Sequence, residues 1–366
     1  MAKYSPVVSG IPVGAAPRRP FGAPLTTPAG DGSHVPLAGE DRVKLDNLQE
    51  WVAQDLRALE DEIDGLLQSD LPLLQEINDH LGQGRGKRFR PTLLLVIAKH
   101  GERSSADALF AAACIELIHT ASLVHDDFID QAATRRGLPT VYRKWGDAAA
   151  LITGDWIYTK VFALMTAQDM VEATKIVART VQAMSVAEMM QLERRRRLDM
   201  TQQDYLTIIL KKTASVIEAS CEIGALLHPR LVAHRSALAD FGRACGMAFQ
   251  ITDDIFDYEA DGQQIGKPVG GDWREGRITL PFLAAWNRAP EAERAELQDA
   301  VDSADDPQGL WPSVLEFVKR HEGTAVAREH ALRYAAEAKT AIDGIDVDPQ
   351  RAILVNAADY VLARLH

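Results

Sequence analysis

Two aspartate-rich clusters of identical spacing constrain this chain most: Asp126-Asp127-Phe128-Ile129-Asp130 and Asp253-Asp254-Ile255-Phe256-Asp257. Each follows an apolar run, Ala111–Val124 in the first case and Met247-Ala248-Phe249 in the second. On a helix, Asp126 and Asp130 lie one turn apart on one face, and like charges so placed repel. A cation between them relieves the repulsion, and a hard, oxygen-seeking ion such as Mg2+ suits carboxylates. A single cluster of this kind also describes a solvated acidic helix end. Two of them, each at the polar end of an apolar helix, point to two helices facing across a cavity. Mg2+ binds through one or two carboxylates and completes its shell with waters and phosphate oxygens. The pair therefore points to a diphosphate held between metals.

The rest of the composition agrees with a helical chain. Of the 366 residues 46% are hydrophobic but only 6% aromatic, and Ala and Leu, strong helix formers, outweigh the β-branched residues. A formal charge of −12 argues against nucleic acid as a partner. Cys114, Cys221 and Cys245 are scattered through apolar stretches, which reads as core thiols in a reducing, cytoplasmic compartment. The longest uninterrupted apolar run, Pro91–Ala98, is far short of the roughly 18 residues of a membrane span, so no transmembrane segment is expected.

Along the chain, residues 1–40 are rich in Pro and Gly and read as a disordered tail, with Arg18-Arg19 lacking the apolar stretch an export signal needs. Residues 41–366 read as one helical domain, with no strand pattern past residue 40. Leu45, Leu48, Val52, Leu56, Leu59, Ile63 and Leu66 recur at helical spacing. Gly84-Arg85-Gly86-Lys87-Arg88-Phe89-Arg90-Pro91 sets glycines and cations at the start of an apolar helix, a plausible anion site or simply a charged loop. His119 precedes Asp126 by two helical turns. Arg135-Arg136-Gly137 follows the first cluster, where paired guanidinium groups suit phosphate oxygens. The run Arg194–Arg197 reads as a solvated helix end, or else a docking patch. Gly266-Lys267-Pro268 and Arg277, beyond the second cluster, read as a basic lid over bound phosphate.

These motifs resemble, in order and spacing, those of the trans-isoprenyl diphosphate synthases, or polyprenyl synthetases. The resemblance runs from about residue 45 to the C-terminus. It is carried by Gly86–Pro91, by Glu116–Asp127, by Arg135-Arg136-Gly137, by Lys212-Thr213, by Phe249-Gln250 with the second cluster, and by Gly266-Lys267-Pro268. Phe89 stands where the family often has Leu, and Arg277 where Lys is common. The resemblance implies an all-α fold, a bundle of long helices around a deep central cavity, usually dimeric, with a small partner subunit also compatible. It implies Mg2+ on Asp126, Asp130 and Asp253, with Asp127, Asp254 and Asp257 in support. It places the allylic diphosphate against Arg135, Lys212, Thr213, Gln250, Lys267 and Arg277. It places isopentenyl diphosphate against Lys87, Arg90, His119 and Arg136.

The activity so implied is Mg2+-dependent head-to-tail (1'-4) condensation of isopentenyl diphosphate onto an allylic diphosphate. In this family bulky residues just before the first cluster block the product tube. Ala121 and Ser122 are small here, which resembles long-chain enzymes making products beyond twenty carbons, with Phe162 or Met165 as candidate floor. Close packing alone also accounts for two small residues. A short-chain (farnesyl or geranylgeranyl) synthase is the alternative. A class I terpene cyclase would leave Lys87, Arg90 and Arg136 idle, and a non-catalytic subunit would have no need of two intact acidic clusters.

Overall fold

The structure, a computed structural model, describes residues 45–102, 104–259 and 269–363. The expected tail and Lys267 lie outside the described residues.

Helices succeed one another with short connections. Ala53–Leu66 and Pro72–Gln83 lead to the fully buried helix Phe89–Ala98 and then to the first acidic helix, Ala106–Ile129. Ser105 caps the latter, its hydroxyl accepting from the Ala108 N–H at 3.2 Å. Asp147–Ala167 and Val171–Glu193 follow, then Gln202–Ile209, and the chain returns through Ser215–Leu226 to the second acidic helix, Arg235–Glu259. The latter packs mainly on Ser215–Leu226 and on Gly323–Ala341.

The first acidic helix is buried on nearly every side down to Ile118. By length and composition this one helix, among the described residues, is apolar enough to cross a membrane, but 67% of its most apolar stretch is buried among other helices. Counting uninterrupted apolar residues missed it, because Glu116, His119 and Thr120 punctuate the run. A helix apolar all round is what the centre of a large bundle requires.

The expectation of no strands needs a small correction. Thr134–Arg135 pairs antiparallel with Leu138–Pro139, and Arg136 and Gly137, both at positive φ (52° and 79°), form the two-residue turn. Such turns match the natural twist of a hairpin.

Two glycines set approaches that matter for the site. A side chain at Gly154 would collide with the His125 ring, so glycine there lets the helix Asp147–Ala167 close on the acidic end of its neighbour. Gly246, on the second acidic helix, faces the Ala214 backbone, where a Cβ would come within 2.5 Å. Ala214 closes a single π-helical turn, Leu210–Ala214, which carries Lys212 and Thr213. π-turns widen a helix locally and recur at functional sites.

Candidate active site

The acidic ends of the two long helices line one pair of adjoining cavities. A cavity of about 900 Å³ takes Lys87, Arg90, His119, Asp126, Arg135 and Arg136 in its wall. A second, of about 410 Å³, takes Asp126, Asp127, Asp130, Asp253, Asp254 and Arg277. Asp126, Arg135, Lys212, Thr213, Gln250 and Asp253 belong to both walls, so the cavities meet at these six side chains.

The basic cavity is built on a strut that sequence reasoning passed over. Arg88, at φ 54° immediately before the helix Phe89–Ala98, lines the cavity with Lys87 and Arg90, but its guanidinium is committed to carboxylates. Its Nε and Nη2 donate to Glu60 at 2.7 and 2.9 Å, and its Nη1 to the buried Glu116 at 2.6 Å. Arg136 donates to the Gly84 carbonyl, and its guanidinium lies where a Gly86 side chain would be. Arg90 and His119 are 3.2 Å apart. Burial, reinforced by Arg90 and Arg136, holds His119 well below the usual imidazole range. Its Nε2 is therefore the acceptor and Arg90 the donor. The result is a concave wall in which arginines and lysines outnumber the carboxylates Glu116, Asp126, Glu188 and Asp253, which suits an anion.

Across the acidic cavity the aspartates differ in their commitments. Asp127 accepts from the Arg135 Nε at 2.7 Å, yet burial keeps its pKa above the ordinary value. Asp254 accepts from the Tyr205 hydroxyl at 2.6 Å and from Gln250 Nε2 at 2.8 Å. Burial, with Asp272 adding repulsion, pushes its carboxyl well up. Gln250 is fixed at its other end by the Thr213 hydroxyl, which donates to Oε1 at 2.7 Å. Asp257 has both oxygens occupied by the backbone N–H groups of Gly271 and Asp272, each at 2.9 Å. It anchors the returning chain and lines neither cavity. Asp272 in turn accepts from Arg277, whose Nη1 donates to Asp130 at 3.0 Å. A chain of hydrogen bonds thus links the last residue of one acidic motif to the last residue of the other.

Tyr205 carried no local signal, since its partner is 49 positions away. Tyr205→Phe should lower stability by about 1 kcal/mol, the net worth of a buried hydrogen bond, measurable by urea titration. An unchanged midpoint would remove the hydroxyl from this network.

Asp126 and Asp130 line the acidic cavity while partly buried, their side chains 22% and 15% exposed. Lys212 holds Asp126 loosely, at 3.7 Å, because its ammonium also donates to Glu188. Burial raises the Asp126 pKa to about 6, Lys212 opposes this, and Glu188 and Asp130 add to it. Partly desolvated carboxylates that repel each other fit a hard divalent cation. Among the described residues no three His, Cys, Asp or Glu side chains converge closely enough to hold an ion alone. Carboxylates so placed would leave most of a cation's shell to oxygens from water or a ligand.

The positions expected to set product length divide. Ser122 lines the larger cavity. Ala121 is fully buried and lies outside that wall, as do Met165, which is fully buried, and Phe162, which packs on the core. Successive helical residues point about 100° apart, and on a helix apolar all round the sequence does not mark which faces the cavity. Leu123, Tyr158 and Met184 line the cavity beside Ser122.

Residues 71–317 match the family model described as polyprenyl synthetase. The chain belongs to the polyprenyl synthetase family. Prenyl transfer is the activity class of that family. Among relatives, the chain is 36% identical over 323 residues to heptaprenyl diphosphate synthase component 2 of Geobacillus stearothermophilus, covering 87% of this chain and 98% of that one. Its fold superposes with a TM-score of 0.80 on a decaprenyl diphosphate synthase from Rhodobacter capsulatus, 32% identical over 88% of this chain and 100% of that one. A TM-score of 0.80 also relates it to a polyprenyl synthase from Caulobacter crescentus CB15 complexed with calcium and isoprenyl diphosphate, 30% identical over 89% and 99% of the two chains.

Proposed function

We propose that this polyprenyl synthetase is an all-trans polyprenyl diphosphate synthase. It extends an allylic diphosphate by successive 1'-4 condensations with isopentenyl diphosphate, to products beyond twenty carbons. The observation that carries this reading is the pair of joined cavities, one rimmed by guanidinium groups and one by carboxylates. Two diphosphates find two chemically different seats within reach of each other.

In this reading Lys87, Arg90 and Arg136, with neutral His119 accepting from Arg90, grip the diphosphate of isopentenyl diphosphate without a metal. Their task is to aim its double bond, which is catalysis by positioning. Lys212, Gln250, Thr213 and Arg135 face the allylic diphosphate, with Arg277 beside Asp130. Asp126, Asp130 and Asp253 would hold Mg2+ ions, which would supply Lewis-acid stabilisation of the charge growing on the pyrophosphate. As the allylic C–O bond breaks, its electron pair goes to the leaving pyrophosphate oxygen. The double bond of the second substrate then attacks the allylic carbon, and the resulting cation loses a proton to a pyrophosphate oxygen. Basic side chains aimed at that leaving group lower the barrier because they are already in place.

Ser122 in the cavity wall and the names of the long-chain relatives support a long product. Three buried free cysteines support a reducing compartment, which we take to be the cytoplasm. We expect a homodimer, and the "component 2" of the Geobacillus name leaves room for a small partner subunit. Incubating the purified chain with farnesyl diphosphate, isopentenyl diphosphate and Mg2+ should give products several isoprene units longer than the primer. Cyclic hydrocarbons without isopentenyl incorporation would overturn the reading in favour of a terpene cyclase.

A further inference from the structure

The arginine run Arg194–Arg197 is not the uniform solvated helix end that its sequence describes. Arg195 Nε donates to the Glu275 carbonyl at 2.6 Å, and the Arg196 N–H donates to the Gly276 carbonyl at 2.8 Å. Gly276 is at φ 77°, and a side chain there would meet both arginines, at 2.9 and 2.7 Å. Arg197 pairs with Asp199 at 2.7 Å on the surface. Only Arg194 of the four lines the acidic cavity.

Arg194 also continues a polar stripe. Glu188, Gln191 and Arg194 succeed one another at three-residue spacing, the interval that makes helical neighbours. Glu188 and Gln191 both engage the Lys212 ammonium, the latter at 3.5 Å, so the stripe runs from Lys212 to Arg194 along the cavity rim. Arg194 approaches Asp204 at 3.6 Å, longer than a hydrogen bond. The same Asp204 oxygen already accepts from the Thr201 N–H at 3.2 Å in a capping box. The Arg194 side chain is 30% exposed. The clamp on Arg195 and Arg196 fixes the backbone next to Arg194, while its guanidinium, in the cavity wall, keeps donors to give. A planar guanidinium fork matches phosphate oxygens in bidentate fashion.

We propose that Arg194 is a further diphosphate-binding residue, taking the phosphate of the allylic substrate and of the released inorganic pyrophosphate. The proposal rests on the allylic diphosphate site described above. Because substrate and product pyrophosphate share these oxygens, Arg194 binds ground state and product alike. Its loss weakens binding more than it slows the chemical step.

The test is calorimetric titration of inorganic pyrophosphate in the presence of Mg2+, beside steady-state kinetics on the full chain. Arg194→Gln should weaken pyrophosphate binding about tenfold, the scale of one charge-assisted hydrogen-bonded contact. The KM for the allylic diphosphate should rise in parallel, while the KM for isopentenyl diphosphate and kcat stay within about twofold. Arg194→Lys should recover part of the affinity. Arg197→Gln, which removes the same charge from the surface, should leave affinity unchanged. Equal rises in both KM values, or wild-type affinity in Arg194→Gln, would overturn the role of Arg194. A wild-type protein that does not bind pyrophosphate at all would instead overturn the diphosphate site itself.

Discussion

Asp126→Asn is expected to cut turnover at least a hundredfold while making the substrate-free protein more stable at neutral pH. The kinetic loss corresponds to about 2.7 kcal/mol of transition-state stabilisation, since the amide cannot replace an anionic ligand on the metal side of the leaving group. The stability gain has a separate origin. Burial raises the Asp126 pKa from the ordinary 3.8 to about 6, so the folded state holds this proton more tightly than the unfolded chain. The contribution of this carboxyl to stability is therefore fully present below pH 4 and is lost as pH rises through about 6. Asparagine, neutral throughout, escapes that cost. The shift sets a ceiling of about 3 kcal/mol. The side chain is 22% exposed and Asn gives up the 3.7 Å contact to Lys212, so about 1 kcal/mol is the reasonable gain, near 2 °C in melting temperature for a chain of this size. The difference from wild type should be absent near pH 4, grow between pH 4 and about 6, and level off above that. Melting curves of the two proteins across that range, without Mg2+, check it. A variant that is both inactive and less stable at pH 7.5 would mean that Asp126 is held by its neighbours rather than strained among them.

How much of this site could be read from the chain depends on the range of the interaction. The i, i+4 pair Asp126 and Asp130 declares itself locally, as do Lys87 and Arg90, because one helix and one loop bring each pair together. The division of labour within each cluster does not. Asp126 and Asp127 are neighbours, yet one faces Lys212 across the cavity and the other is locked to Arg135. Asp257 repeats the position of Asp130 in its motif, yet it caps the chain at Gly271 while Asp130 meets Arg277. Those fates are decided by segments far away in sequence. Arg88 shows the same limit from the other side. Three cations in four residues look alike on paper, and all three line the cavity, but only the pairing of Arg88 with the distant Glu60 and Glu116 marks it as the strut. The helical class, by contrast, was legible throughout, because Ala- and Leu-rich periodicity is repeated in every segment and no single contact decides it.

The same distinction governs product length. Ser122→Phe is expected to shorten the products by several isoprene units, with the first condensation slowed only a few-fold. The Ser122 hydroxyl donates to the His119 carbonyl at 2.8 Å, and the side chain stands in the wall of the 900 Å³ cavity. It is four residues before Asp126, about 6 Å along the helix axis. A phenyl ring there would fill part of the cavity into which the proposed reading runs the growing tail, and close-packed walls have little room to give. Ala121→Phe is the informative companion. Ala121 is 0% exposed and packed in the core, so a ring at that position overpacks the helix interface, at a cost of about 1–3 kcal/mol or more, and should lower the melting temperature without a clean shift in chain length. Chromatographic sizing of products, together with melting curves for both variants, separates the two outcomes. If Ala121→Phe shortens the products and Ser122→Phe does not, the tail runs along the other side of this helix, and Leu123 and Met184 lose their place as its wall.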